Sequence, residues 1–309
     1  LASAPPSFPQ GATRDTRQSV DALMALTAPT TELQAAADMI VLAGRGADEQ
    51  VLARGTIGTL IDLWITPVPR KWTPREAGQA AYLIAMALGL LLGAPHGRPS
   101  TAGLRAELTR RVAALCAQAP PRRLPEAHER HWDDMSFATD DASRERFLQA
   151  ATSLLATQGA EAIHVHRIAD ETGIPREVAT TWYPTDHDLA IDALQRSHLV
   201  GLSANEAAQR RLASGYGPGV AEAVMIREFM RPGRETQRGA MLEQVRMCWA
   251  DPDMMARSQA ELAELAERMR RAGLGGPAFF HMDWAMGLGV VALAVISPCL
   301  LYTSPSPRD

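Results

Sequence analysis

The sequence predicts an all-α chain made of several helical domains, on three observations. Of 309 residues, 46% are hydrophobic and 21% charged, enough apolar material for one large core or two ordinary ones. Alanine, leucine, methionine and arginine dominate while aromatic residues are only 5%, and unbranched side chains lose little rotamer freedom in a helix. Apolar residues recur at helical spacing in segment after segment, with proline and glycine at the breaks.

The elements follow in order. Leu1 to Ala12 is rich in proline, serine and alanine and reads as a linker remnant. Thr31 to Gly44 and Glu49 to Trp64 carry helical spacing, and two prolines break the run between Thr66 and Arg70. Thr73-Pro74-Arg75-Glu76 is a capping box with proline at the first helical position, opening a helix through Gly93. Another helix runs from Thr101 to Ala117, stopped by prolines between Ala119 and Pro125, and Glu126 to Asp141 is a polar linker.

From Ser143, the residues Phe147, Ala150, Ala151, Leu154 and Leu155 share one helical face, and Gly159 ends the helix. A short helix from Val165 to Thr172 buries Val165, Ile168 and Ala169, and Gly173 supplies a left-handed turn. A third helix from Pro175 to Trp182 is expected to pack Ile174 and Val178 inward and to turn Arg176, Glu177, Thr180 and Thr181 outward. Thr185 with Asp188 reads as a capping box for the next helix. Asp251-Pro252 caps a helix through Ala272, glycines break it between Gly273 and Gly276, and an apolar helix runs from Pro277 to Ile296.

Composition excludes several classes. The net charge of -4 is no basic signature, so any nucleic-acid contact must come from a local surface. Cys116, Cys248 and Cys299 are odd in number, far apart and without a CxxC pair, which points to neither a disulfide framework nor a zinc site and fits a reducing cytoplasm. His128 with His131, and His164 with His166, lack the partners of a metal site and are read as exposed histidines. There is no GxSxG, HExxH or phosphate-loop signature, so neither an enzyme nor a cofactor is expected. The apolar stretches Ala80 to Ala94 and Ala285 to Ile296 fall short of the roughly 18 residues a spanning helix needs, so both are read as buried helices and no membrane is expected.

The helix ending in glycine, then Ile168-Ala169, Gly173-Ile174 and the aromatic pair Trp182-Tyr183 before Pro184, resembles the DNA-binding head of the TetR/AcrR family across Ser143 to Leu194. The resemblance implies a helix-turn-helix head with helical ligand-binding and dimerisation domains: a transcriptional regulator, a ligand-responsive repressor. Its partners would be a double-stranded DNA operator and a small apolar effector. On that reading His166 and Arg167 contact DNA from the second helix. Arg176, Thr180, Thr181 and Trp182 do so from the recognition helix, and Thr185 adds a phosphate contact. Arg176 is the expected guanine reader, since a guanidinium can donate two bonds to O6 and N7. Two positions depart from the family: Thr180 stands where tyrosine is usual and Asp186 where lysine is usual. Five arginines face eight acids between Ser143 and Arg196, which weakens phosphate binding. The alternative is a helical small-molecule-binding or scaffold protein whose head is degenerate and binds no DNA.

The expected division is residues 1–135 as a ligand and dimerisation domain lacking its own head, 136–196 as the head, 197–300 as a second helical domain, and 301–309, reading LYTSPSPRD, as an artefactual tail. Met225, Phe229, Met247, Trp249, Phe280 and Trp284 are the expected lining of the effector pocket. Laying Trp284 on Tyr82 aligns Ala285 with Leu83, Val290 with Leu88 and Leu293 with Leu91. The same shift carries Ser143 to before Leu1, as in a truncated tandem protein. The helices Glu76 to Gly93 and Pro277 to Ile296 are expected to pair, in a homodimer or within one chain as a pseudo-dimer. Gly89, Gly93, Gly287 and Gly289 would allow their close approach.

Overall fold

The structure, a computed structural model, describes residues 16–27, 31–43, 74–93, 100–117, 141–216, 226–228, 233–271 and 275–296, with isolated positions at 45, 48, 51, 55, 139, 224, 231 and 273. Among the described residues it is helical throughout and contains no strand. The helices are α1 (Thr16–Ala25), α2 (Thr31–Leu42), α3 (Pro74–Gly93), α4 (Thr101–Ala117), α5 (Ala142–Gln158), α6 (Val165–Thr172), α7 (Arg176–Trp182), α8 (Asp186–Tyr216), α9 (Glu235–Ala250), α10 (Pro252–Arg271) and α11 (Pro277–Ile296). A 3-10 turn, Ala160–Ala162, separates α5 from α6. Of the expected helix Glu49 to Trp64 only positions 51 and 55 are described, both of them helical, and the capping threonine Thr73 and the linker histidines His128 and His131 lie outside the described residues.

The chain divides into two compact units, residues 1–122 with 259–309, and residues 123–258. This division differs from the expected domains. The boundaries foreseen after 135 and 196 fall instead after 122 and 258. Pro277–Ile296, foreseen in a second-half domain, clusters with the N-terminal helices. The division crosses α10, a continuous helix, which no break in the sequence marks. Asp251 caps this helix as expected, its Oδ1 accepting from the Asp253 and Met254 N–H groups at 2.8 and 3.1 Å.

In the first unit the dominant pairing is α3 against α11. A Cβ placed on Gly89 would collide with the carbonyl oxygen of Ala285, and one placed on Gly289 with that of Ala85. The two backbones therefore touch through a pair of glycines. The contact is reciprocal, as across a two-fold axis, where residue i meets j and j meets i. It equates Gly89 with Gly289 and Ala85 with Ala285, a register that differs by two residues from the one obtained by laying Trp284 on Tyr82. A Cβ placed on Gly93 would lie at ordinary contact distance, 3.7 Å from Leu288 Cδ1, and one on Gly287 would meet open space, so neither takes part in the close approach.

A second tie joins α4 to α11. Arg111, with only 2% of its side chain exposed, donates to Asp283 Oδ1 at 2.6 Å and to Glu107 Oε1 at 2.7 Å, and lies over the Phe279 ring. A buried guanidinium is tolerable because both carboxylates meet it. Gln79 adds a bond from α3 to the Leu115 carbonyl of α4 at 2.9 Å.

The helix α11 is 20 residues long and apolar enough to cross a bilayer by length and composition, which corrects the expectation that this stretch falls short. Most of its surface is nevertheless buried within the protein, as in the core helix of a helical domain.

Candidate nucleic-acid interface

The second unit builds its core where the sequence places it. Asp141 caps α5 by accepting from the Ser143 N–H at 2.7 Å. Along α5, Phe147, Leu148, Ala151, Leu154 and Leu155 are buried, and they meet Val165, Ile168 and Ala169 of α6, Ile174, Ala179 and Tyr183. The same core takes in Leu189, Ala193 and Leu194 from α8 and Met247, Cys248 and Met254 from α9 and α10.

Gly173 ends α6 at φ 71° and ψ 26°, and its N–H reaches back to the last turn. Only glycine adopts this left-handed conformation without a side-chain penalty. The turn releases the chain into α7, whose first helical residue is Arg176, one later than expected, with Pro175 just before it.

One expectation is corrected here. Val178 does not pack inward: it is 40% exposed, while its neighbour Ala179 is fully buried. Successive helical residues are about 100° apart, so only one of the two can face the core. The small Ala179 does so, and Val178 is carried outward.

The aromatic pair at the end of α7 anchors it. Phe147 stacks on Tyr183 with centroids 5.9 Å apart and planes 8° from parallel, and meets the Trp182 edge at 5.9 Å and 67°. Trp182 is thus half-buried against the core rather than fully presented outward. The Tyr183 hydroxyl donates to Asp192 Oδ2 at 2.6 Å and accepts from Arg144 at 3.1 Å, which ties α5, α7 and α8 at one point.

Burial first, and then the bond to Asp192, push the Tyr183 phenol up to about 12. The folded value lies above the unfolded one of about 10. The contribution to stability is therefore whole below pH 10 and is lost as pH rises through 12. A spectrophotometric phenolate titration of the wild type against Tyr183→Phe should show Tyr183 ionising last, together with loss of the α-helical signal. Ionisation near the ordinary tyrosine value in the folded protein would contradict this.

The residues expected at DNA are placed as follows. His166 and Arg167 are exposed on α6, Arg176, Thr180 and Thr181 are exposed on α7, and Thr185 is exposed at the start of α8. The His166 Nε2 lies 3.2 Å from the Thr180 hydroxyl, so α6 and α7 present these two side by side. Each basic group also has an acidic neighbour. Arg167 donates to Glu171 at 2.9 Å. Arg176 donates to both oxygens of Asp170, through Nε at 2.9 Å. The Arg176 bond holds the Asp170 carboxyl below its ordinary value, and the same bond raises the guanidinium. Thr185 accepts from the Asp188 N–H at 3.1 Å and donates to its carboxylate at 2.7 Å, as a cap for α8.

Asp186 has a structural role that sequence reasoning missed. Its Oδ1 accepts from the Val165 N–H at 2.7 Å and its Oδ2 from the His164 ring at 3.0 Å, capping α6 from 21 residues away. Partial burial pushes the carboxyl up, but the Val165 N–H and then His164 outweigh it and hold it below the ordinary value. The helix dipole of α6 favours the same negative charge.

A second missed group lies on α9. The buried Glu243 accepts from the Ala160 N–H at 2.8 Å and pairs with Arg246, which also reaches Glu161 at 3.0 Å. Arg246 and Glu243 thereby hold the 3-10 turn that leads into α6. Next along α9, Gln244 bonds the buried His198 of α8 at 2.7 Å.

Of the residues expected to line an effector pocket, Met225 and Phe229 lie outside the described residues. Met247 belongs to the apolar core of the second unit and Trp249 is half-buried on α9. Phe280 and Trp284 are buried on α11, in the first unit. Among the described residues no cluster of histidine, cysteine and carboxylate is arranged to hold a metal ion. Compared with family models, curated proteins and solved structures, the chain finds no match.

Proposed function

We propose that the chain is a TetR-like transcriptional regulator, a ligand-responsive cytoplasmic repressor that binds a double-stranded DNA operator through α6 and α7. The observation that carries this reading is the pair α6 and α7 joined by left-handed Gly173. It is fixed from behind by Ala179 and Tyr183 and presents His166, Arg167, Arg176, Thr180 and Thr181 on the outside. In such an arrangement the second helix enters the major groove and the first crosses the phosphate backbone. Arg176 is the guanine reader in this proposal. Its bond to Asp170 is exposed and screened by solvent, so a base edge or phosphate can displace it.

The same proposal takes a small apolar effector, for which the half-buried Trp249 ring on α9 is a candidate contact. It also takes α3 and α11 as an intrachain pseudo-dimer, favoured by their reciprocal glycine contact. No catalytic role is proposed.

A second reading, a helical binding or scaffold protein with a degenerate head, is favoured by the pairing of Arg167 and Arg176 with acids of their own unit. One experiment separates the two. Binding to pooled random duplexes is titrated with salt, for the wild type and for an Arg176→Ala, Thr181→Ala double variant. Selective binding that weakens with salt and drops at least about tenfold in the double variant is expected, since a bidentate base contact is worth about 1–3 kcal/mol. No binding even at low salt would leave the degenerate-head reading in its place.

A further inference from the structure

Among the described residues Leu42, Val51 and Val178 are the large apolar side chains left exposed, and of these only Val178 belongs to the second unit. A single exposed apolar residue is commonplace, so its position has to carry the argument. The helix α7 has only seven residues, reading Arg-Glu-Val-Ala-Thr-Thr-Trp. Valine at an exposed helical position is a poor helix former, because the preceding turn restricts its χ1 angle, and Thr180 and Thr181 are no better. The attachment of α7 runs through Ala179, Trp182 and Tyr183. Alanine would therefore serve the fold at position 178 better than valine does.

The chemistry around Val178 narrows what it can meet. Thr181, three residues on, shares its helical face. The hydroxyls of Thr180 and Thr181 donate to the carbonyls of Arg176 and Glu177, each at 2.8 Å. Their donors are spent and the Thr180 oxygen also meets His166, so what these threonines still offer outward is methyl groups and the Thr181 acceptor oxygen. In the major groove the only base edge that presents a methyl group is thymine.

We propose that Val178 is a specificity-determining residue that packs on the 5-methyl group of a thymine in the major groove, with Thr181 beside it. This rests on the DNA-binding reading above. It deepens that reading by fixing one base of the operator through a residue that the fold does not need.

The test uses the full chain and a duplex recovered from the random pool. Each thymine is replaced in turn by deoxyuridine, which removes the methyl group and keeps the pairing. At one thymine the replacement should weaken wild-type binding about fourfold, the worth of one buried methyl-sized group. Val178→Ala should bind the thymine and uracil duplexes alike, with a thermal midpoint equal to or above that of the wild type. Selective binding that no uracil substitution disturbs, or discrimination that survives in Val178→Ala, overturns the thymine contact and leaves the DNA-binding reading standing. A lowered midpoint in Val178→Ala also overturns it, by showing that the valine serves the fold. Absence of any selective binding by the wild type overturns both readings.

Discussion

Replacing Gly89 or Gly289 by alanine is expected to destabilise the first unit by about 3 kcal/mol or more, at or beyond the upper end for overpacking. At each position the added methyl group would collide with a main-chain carbonyl of the facing helix, Ala285 for Gly89 and Ala85 for Gly289. A side chain in the way can change rotamer. A carbonyl can move only with its helix, so α3 and α11 must separate along their length and loosen contacts that bury Leu88, Leu92, Val291 and Leu293. Because the contact is reciprocal, the two single variants should lose similar amounts. The control is Gly287→Ala, which meets nothing within 4 Å. It replaces glycine inside a helix and should raise stability by about 0.5–1 kcal/mol. Chemical denaturation of the three variants checks this. Unchanged midpoints for Gly89→Ala and Gly289→Ala would mean that the helices do not cross where described.

Phe147→Ala is expected to cost about 3–5 kcal/mol, the usual range for emptying a buried aromatic site. The ring is fully buried and touches both Tyr183 and Trp182, so its removal leaves a cavity and deletes two aromatic contacts together. The loss falls on the attachment of α7, because Tyr183 is held from one side by Phe147 and from the other by Asp192 and Arg144. Hydrogen exchange should accordingly accelerate at the amides of α6 and α7. Phe147→Leu, which keeps most of the volume, should lose much less. Protection of α7 that is indifferent to both substitutions would mean that the helix is mounted some other way.

What was legible in the sequence was local. Gly173, Asp251 and the proline at the start of α10 announce a turn, a cap and a helix start through the conformations those residues prefer, and the structure has all three. The helical faces of α5 and α6 were readable because each has enough turns for its apolar residues to mark a stripe. In α7 there are fewer than two full turns, and Val178 and Ala179 are both apolar, so spacing alone could not choose between them. The size of the gap behind the helix decides, and only the folded chain has a gap.

The misses at the candidate interface have the same origin. Asp186 reads as a repulsive charge until the turn at Pro184 brings it to the Val165 N–H. Glu243 reads as an ordinary helical acid, although it is buried and bonded to Ala160 from 83 residues away. A carboxylate that caps a distant helix carries no mark in its own neighbourhood. Of the four glycines expected to allow close approach, Gly89 and Gly289 lie where α3 meets α11, and Gly93 and Gly287 do not. The register of the two helices could not be had from aligning apolar residues, because many alignments of two apolar helices are nearly equivalent and only the backbone contact selects one.

The mounting of α7 separates what holds it from what it displays. Ala179 and Tyr183 fasten it, while Glu177, Val178, Thr180 and Thr181 stand free of the core. Substitutions on the display side are nearly neutral for stability, since exposed positions away from caps and cores usually shift it by no more than about 0.5 kcal/mol. The helix can therefore exchange its outer residues over evolutionary time without passing through an unfolded intermediate sequence. Selectivity for whatever α7 meets is free to drift while the body behind it stays constant.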